Sequence, residues 1–518
     1  MTIDLSSIIK EAKNQTDADS RKLELDSWKR AVNVISRNID NEKIGIVQGP
    51  PGAGKTTIYA SAFSRYFDKL GQGRIMVYVA PTNELVNDMF KKVVADYARR
   101  GALERIPKEV RVYGSRFTQD RDIKSIRDIP DMNTKIVLMT NYQRLYQGDK
   151  ELNYNVMIDE ASKSPLHVPF IGLADQLVKG SLQGSVSIVG DPMQAISLGP
   201  YGGSAKRMLM MSYLLAPMLG HSSREIDAKA LLNEAKESDI RGKSFEFMET
   251  SLRIPSPSEI AISQGFYDGD LKAFEPASKR LAGYYDSNAG RYFINQGTDR
   301  FKKIAREIED LITTGRCILY ARVQGKSSYS DYSNKYGLTY DRTRADVGIE
   351  AAIVLAAVTG KHTTVITTYV DQQTQMDLQM RQNYGNLLTR FGLSDRISFS
   401  TTQSALGSED DNIVAVLGKE HSGPMSHQND PSTVYFNEPE LLNVQLSRHR
   451  RFLTIIGSLS VLASQATKQD QALKSSKFSP LSVTSDQLLL QSGFEKRASK
   501  YVRTGNSGEA GFISFGED

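Results

Sequence analysis

A single cysteine, Cys317, stands in the 518 residues of the chain. That excludes an internal disulfide and any cysteine-based zinc cluster. It also fits a reducing compartment, so the expected location is the cytoplasm, with the nucleus left open. No run of about 18 apolar residues occurs, the length a membrane-spanning helix needs. The first residues, MTIDLSSIIKEAKN, carry an early acid and lack the apolar core of a signal peptide, so no membrane anchor is expected. A strong charge of one sign is missing as well. The 65 Lys and Arg against 60 Asp and Glu leave a formal +5, which neither demands nor excludes a polyanionic partner. No repeat of solenoid or propeller period is visible. What remains is ordinary globular usage, 40% hydrophobic and 24% charged. At about 150 residues per domain, the length allows two to four domains.

Short apolar runs alternate with longer amphipathic stretches, the pattern of parallel sheets covered by helices. Expected strands are Ile44–Gln48, Ile75–Ala80, Ile136–Thr140, Val156–Asp159 and Val186–Gly190, followed by Cys317–Ala321, Thr364–Thr368, Ile397–Thr401, Ile413–Leu417 and Leu453–Gly457. They form two successive α/β units. The expected layout is an N-terminal helical segment over 1–43, a first unit over 44–220 and a second over 221–460. Residues 85–132 read as helices and a loop inserted in the first unit. From 461 to 518 the composition shifts to Ser, Gln and Lys, and this tail is expected to be mobile or to serve protein partners.

Gly49-Pro-Pro-Gly-Ala-Gly-Lys-Thr56 satisfies G-x-x-x-x-G-K-[ST] between the strand IGIVQ and a helical stretch. Gly49, Pro50, Pro51, Gly52, Ala53 and Gly54 shape a turn whose N–H groups face one point. Lys55 brings a full charge to β- and γ-phosphates, and Thr56, with Thr57 beside it, opens the helix. Thr56 is then placed to ligate Mg2+. Tyr154-Asn-Val-Met-Ile-Asp-Glu-Ala-Ser162 ends an apolar strand in two carboxylates. Asp159 is the expected magnesium ligand and Glu160 the group that deprotonates an attacking water; an acidic pair alone would be an ordinary solvated turn. In Val189-Gly-Asp-Pro-Met-Gln194, Gln194 is suited to sensing a γ-phosphate, although the segment alone is a common Gly-Asp-Pro turn.

In this order the segments GPPGAGKT, VMIDEAS and VGDPMQ resemble superfamily 1 helicases. The resemblance continues through Ser251-Leu-Arg-Ile-Pro255, Gly265-Phe-Tyr-Asp-Gly-Asp-Leu271, Val365-Ile-Thr-Thr-Tyr-Val-Asp-Gln-Gln373 and Leu442-Asn-Val-Gln-Leu-Ser-Arg-His449. It is similar to the branch containing the RNA helicase of nonsense-mediated decay and the nidovirus helicases, and the final basic run is also similar to helicases of plant RNA viruses. The resemblance implies two tandem RecA-like P-loop domains, ATP and Mg2+ as cofactors, and 5′-to-3′ movement on single-stranded RNA or DNA. It also makes a viral or mobile-element source an expectation, and replication or ribonucleoprotein proteins the partners of the tail.

The resemblance assigns Arg253 and Arg448 to the γ-phosphate, where a planar, permanently charged fork suits the transferred group, and Glu409 to the nucleotide. The chain departs from the family at Trp28, where an adenine-reading Gln is usual, and at Leu252, Arg344 and Leu406. Trp28 either stacks on a base or packs in the core. For the nucleic-acid groove, candidates are Pro81, Thr82, Asn83, Thr140, Asn141, Thr367, Thr368 and Tyr369, at polar strand-to-loop junctions suited to a sugar-phosphate backbone. The expected activity is an ATP-dependent helicase or translocase. Two alternatives stay open: an ATPase that remodels ribonucleoprotein or removes a 5′-terminal RNA phosphate, and a nucleotide-gated binding scaffold.

Overall fold

A computed structural model describes residues 25–41, 44–113, 129–141, 143, 145, 152–163, 184–194, 210–222, 228–323, 342–405, 408–417, 439–457 and 510–515. The chain divides into two compact units. The first comprises Met1–Pro192 and Ile196–Thr250, and the second Met193–Ala195 and Ser251–Asp518. The division thus falls about thirty residues beyond the expected boundary at 220, because the first sheet takes one more strand before the chain leaves it.

In the first unit β1 (Ile44–Gln48), β2 (Arg74–Ala80), β3 (Val110–Tyr113), β4 (Ile136–Thr140), β5 (Asn153–Ile158), β6 (Val186–Gly190) and β7 (Phe245–Phe247) form one sheet in the order β3-β4-β2-β5-β6-β1-β7. Every pairing is parallel. Runs such as IMVYVA in β2 and IVLMT in β4 are buried along their whole length, the pattern of strands covered on both faces. All strand ends that carry the motifs therefore lie on one edge of the sheet.

Two expectations are corrected here. Residues 85–132 supply part of the helix Asn83–Arg99 and the edge strand β3, so this segment extends the sheet instead of merely interrupting it. Its VRVY run was too short to stand out from the flanking helical pattern. β7 was missed for the same reason, with three residues, all buried.

Helices pack on this sheet through regular apolar faces. The helix Asn83–Arg99 buries Val86, Met89, Phe90, Val93, Val94 and Tyr97, and starts where the Thr82 hydroxyl accepts a bond from Leu85 N. The helix Asp26–Asn41 turns Trp28, Ala31, Val32, Ile35 and Ile39 inward. Trp28 is 2% exposed within the main core cluster, so packing, and not base stacking, is its role in this structure. Arg30 on the same helix reaches the fully buried Glu246 of β7 at 3.1 Å, tying the N-terminal helix to the last strand of the sheet.

In the second unit β10 (Ile318–Val323), β11 (Thr363–Thr367), β12 (Ile397–Thr401), β13 (Asp410–Val416), β14 (His449–Gly457) and β15 (Ala510–Phe515) form a parallel sheet in the order β12-β11-β13-β14-β10-β15. A short ribbon pairs β8 (Thr250–Ser251) with β9 (Lys272–Ala273). The helix Arg342–Thr359 is buried along nearly its whole length. Gly348 lets it approach the sheet: a Cβ there would stand 2.9 Å from Met376 Cε and Val416 Cγ2. Cys317, just before β10, is buried and its thiol is pushed up to about 12 by that burial, so it acts as a small apolar side chain.

β15 lies inside the segment expected to be a tail. It pairs with β10 from Ile318↔Ala510 to Val323↔Phe515, so residues 510–515 form an edge strand of the second sheet. Residues 461–509 and 516–518 of that segment, and the motif positions Asp341, Leu406 and Gly407, lie outside the described residues. The parallel α/β architecture is the one expected of tandem RecA-like domains. No helix among the described residues is long and apolar enough to cross a membrane.

Candidate active site

The loop Gly49–Gly54 joins β1 to the helix Lys55–Tyr66. Gly49 N donates to Gly190 O of β6 at 2.9 Å, which fixes the start of the loop. A Cβ on Gly49 would fall 2.5 Å from Lys55 Cγ, so the lysine needs this glycine in order to fold back over the loop. Gly52 and Gly54 have φ of 73° and 87°, a region open mainly to glycine. No side chain caps the helix that follows, which leaves its positive end as an anion site. Lys55 Nζ donates to Gly49 O at 3.1 Å and stands 3.6 Å from Glu160 Oε1.

Strand β5 ends one residue earlier than expected, at Ile158, so Asp159 and Glu160 begin the turn. Thr56 Oγ1 donates to Asp159 Oδ2 at 2.8 Å, and Tyr78 OH of β2 donates to the same oxygen at 2.7 Å. Asp159 Oδ1 accepts from Glu160 N at 2.8 Å. Glu160 is held at φ 50°, a left-handed conformation that costs a non-glycine residue about 1 kcal/mol or more. The turn packs closely on β6, since a Cβ on Gly190 would meet Ala161 N and Ser162 N at 2.9 Å. Asp191 is anchored there too, with its N–H donating to Ser162 Oγ at 3.2 Å and its carboxylate accepting from Gln48 Nε2 at 3.4 Å.

Burial raises the pKa of Asp159, and the neighbouring Glu160 charge raises it further, against the hydroxyls of Tyr78 and Thr56 and the charge of Lys55. A cation beside this carboxylate would relieve both penalties. Among the described residues no group of three or more His, Cys, Asp or Glu side chains is placed to hold a metal. Magnesium takes one or two protein oxygens and completes its shell with phosphate and water. The Thr56 hydroxyl and Asp159 carboxylate are such a hard-oxygen pair, and the uncapped helix end fits the phosphates.

In the second unit, Glu409 sits between two arginines. Arg253 Nε donates to Glu409 Oε2 at 2.5 Å, and Arg450 Nη2 donates to Oε1. Burial alone would raise the Glu409 carboxyl, but the two guanidiniums hold it down at about 2. Arg448 is buried; its Nε donates to Val444 O at 3.1 Å, and its Nη2 donates to Oε1 of Gln194, which is grouped with this unit, at 2.8 Å. His449 Nε2 lies 2.8 Å from Ser258 Oγ, joining the Arg253 segment to the start of β14.

The structure thus brings Lys55, Thr56, Asp159 and Glu160 together in the first unit, and Arg253, Arg448, Gln194 and Glu409 in the second. Pro81, Thr82 and Asn83 follow β2 at the motif edge and are half-buried, whereas Thr140 and Asn141 are buried at the end of β4. Thr367 is fully buried and donates to Tyr369 O at 3.0 Å, while Thr368 and Tyr369 are partly exposed. Sequence reasoning missed Tyr78, which reads as one more core aromatic of β2. It also missed the partnership of Arg450 with Glu409, since a basic run does not reveal which member turns inward. Tyr78→Phe is expected to raise the Mg2+ concentration for half-maximal nucleotide turnover about tenfold, with turnover recovering at saturating Mg2+; a magnesium titration of the variant checks this.

This arrangement defines the class: a parallel α/β protein with a phosphate-binding loop, an acidic pair and a second unit carrying an arginine cluster. Residues 29–164 match the sequence model of DEAD/DEAH box helicases, and residues 246–460 match an AAA domain model. Helicase-type, ATP-dependent remodelling of nucleic acid is thereby supported as the class of activity. No curated protein matches the chain. Similar solved structures include a leucine-to-valine variant of S. cerevisiae Dbp5 bound to Nup159, a Gle1 variant, IP6 and ADP, at 10% identity over 100% of this chain and 96% of that one, with TM-score 0.38. The DUF1998 helicase MrfA bound to DNA and AMPPNP is similar at 11% identity over 84% of this chain and 50% of that one, with TM-score 0.35.

Proposed function

We propose that the protein is an ATP-driven motor of the superfamily 1 type that moves 5′ to 3′ along single-stranded nucleic acid and separates duplexes. The observation that carries the ATPase reading is the convergence of Lys55, Thr56, Asp159 and Glu160, with the Thr56 hydroxyl 2.8 Å from Asp159 and Lys55 3.6 Å from Glu160. Lys55 and the helix N-terminus bind the β- and γ-phosphates. Thr56 and Asp159 hold Mg2+, which supplies charge neutralisation of the phosphate oxygens when bound. Glu160 orients the attacking water and takes its proton. Arg253 and Arg448 supply cationic forks to the γ-phosphate in the working state, and Gln194, bonded to Arg448, reports on its loss. Polarity and the superfamily 1 assignment rest on the order of motifs through residue 449.

The test is phosphate release with and without single-stranded RNA and DNA, run beside unwinding of duplexes with either a 5′ or a 3′ overhang. The expected result is stimulated turnover and unwinding from the 5′ overhang. Turnover indifferent to both nucleic acids would sink the motor reading, and unwinding only from the 3′ overhang would reverse the polarity.

A further inference from the structure

The geometry points to Arg280 as a positioning residue for Arg253, one of the two arginines that the proposed function sends to the γ-phosphate. Arg280 lies on the short helix Ala277–Leu281, outside all of the sequence motifs. Its side chain is 12% exposed. Nη1 donates to Arg253 O and, at 2.8 Å, to Arg450 O; Nη2 donates to Leu252 O at 2.7 Å; and Nε donates to Glu275 Oε2 at 3.3 Å. One guanidinium therefore ties the main chain of the Leu252-Arg253 segment to the main chain of β14 two residues after Arg448.

The circuit closes on the other side. Arg253 and Arg450 share Glu409 through their side chains, while their carbonyls share Arg280. Arg280 is itself held, because Arg451 Nη1 donates to Arg280 O at 3.0 Å while Arg451 Nε pairs with Asp411 at 3.1 Å. The donors of a rigid fork are thus used on two chain segments and one carboxylate. An ammonium group cannot span that set, so Lys at this position keeps the charge and loses the geometry. Because a displacement of about 1 Å in a group that meets the transition state can cost up to a hundredfold in rate, loosening this tie should appear in turnover more than in nucleotide affinity.

The inference rests on the proposed ATPase reading, and the experiment separates the two. ATP turnover stimulated by single-stranded nucleic acid, and ADP binding, are measured for the wild type, Arg280→Lys, Arg253→Ala and the double variant. Arg280→Lys is expected to lower kcat about ten- to a hundredfold while leaving the Kd for ADP, which has no γ-phosphate, unchanged. On the Arg253→Ala background it is expected to cost little more, since its effect passes through a group already removed. Independent, multiplying losses, or a parallel loss of ADP affinity, would overturn the positioning role and leave the ATPase reading standing. A wild type without turnover would overturn both. Should Arg280→Lys fail to fold, Glu275→Gln weakens the Nε contact, together with the exposed pair to Lys279 Nζ, and leaves the three carbonyl bonds of Arg280 in place. A severalfold loss of kcat in that variant that disappears on the Arg253→Ala background supports the positioning role, and a loss that persists there overturns it.

Discussion

Glu160→Gln is expected to lower ATP turnover by about a thousandfold while nucleotide still binds, and Lys55→Ala is expected to remove both binding and turnover. The difference follows from what each side chain touches. Glu160 has no role in holding phosphate; its carboxylate faces Lys55 at 3.6 Å and its backbone N–H is fixed by Asp159. An amide of the same shape preserves the turn but cannot accept a proton, and loss of a positioned general base costs about a hundred- to ten-thousandfold. Replacing Glu160 by Gln also removes the anion that holds Lys55, leaving that charge free for phosphate, so affinity should hold or rise. Lys55→Ala removes the cation over the loop, and Gly49 O loses its donor. Phosphate release and binding of a fluorescent ATP analogue measure the two effects separately. Full turnover in Glu160→Gln would move the base elsewhere in the protein, and full affinity in Lys55→Ala would move the phosphate site.

Much of this site was legible because its chemistry is local in sequence. The glycine loop, its lysine and the threonine after it are adjacent residues, and the strand before them announces itself by an unbroken apolar run. β1, β4, β6 and β12 fall where the apolar pattern put them, with both ends in place. The parts that escaped are those in which long-range packing decides. β3 and β7 are short strands that exist because a neighbour offers a free edge, and β15 joins β10 across nearly two hundred residues of chain. Likewise, nothing local marks Tyr78 as the residue that bonds Asp159, or separates Arg450, turned to Glu409, from Arg451, turned to Asp411. Arg280 is the limiting case. Most of its partners are main-chain carbonyls, which carry no sequence signature at all.

Lowering the pH from 7 to 4.5 is expected to destabilise the second unit by about 3 kcal/mol through one side chain, His449. This imidazole is fully buried, with Nδ1 donating to Leu446 O at 3.1 Å and Nε2 facing Ser258 Oγ at 2.8 Å. Burial pushes its pKa down to about 3, and the charges of Arg280 and Arg253 push the same way, against the pull of the Leu446 carbonyl. An unfolded histidine takes up its proton near pH 6.5, so between about 6.5 and about 3 the unfolded chain holds a proton that the native one refuses. Stability is therefore full above about pH 6.5 and falls as the pH drops toward 3, by about 1.4 kcal/mol per unit. Glu409, held down at about 2 by its two arginines, adds its own loss only once the pH falls below about 4.5, where the unfolded carboxylate begins to take up a proton, so the interval from pH 7 to 4.5 belongs mainly to His449. Hydrogen exchange of the β14 amides at pH 7, 5.5 and 4.5, corrected for intrinsic rates, reads the effect where it arises. His449→Asn lowers stability at neutral pH but should flatten the dependence, since it leaves no group to protonate. An unchanged slope in that variant would assign the acid sensitivity to carboxylates instead. A flattened slope would show that β14, which begins one residue after Arg448, is locked by keeping its first side chain neutral among arginines.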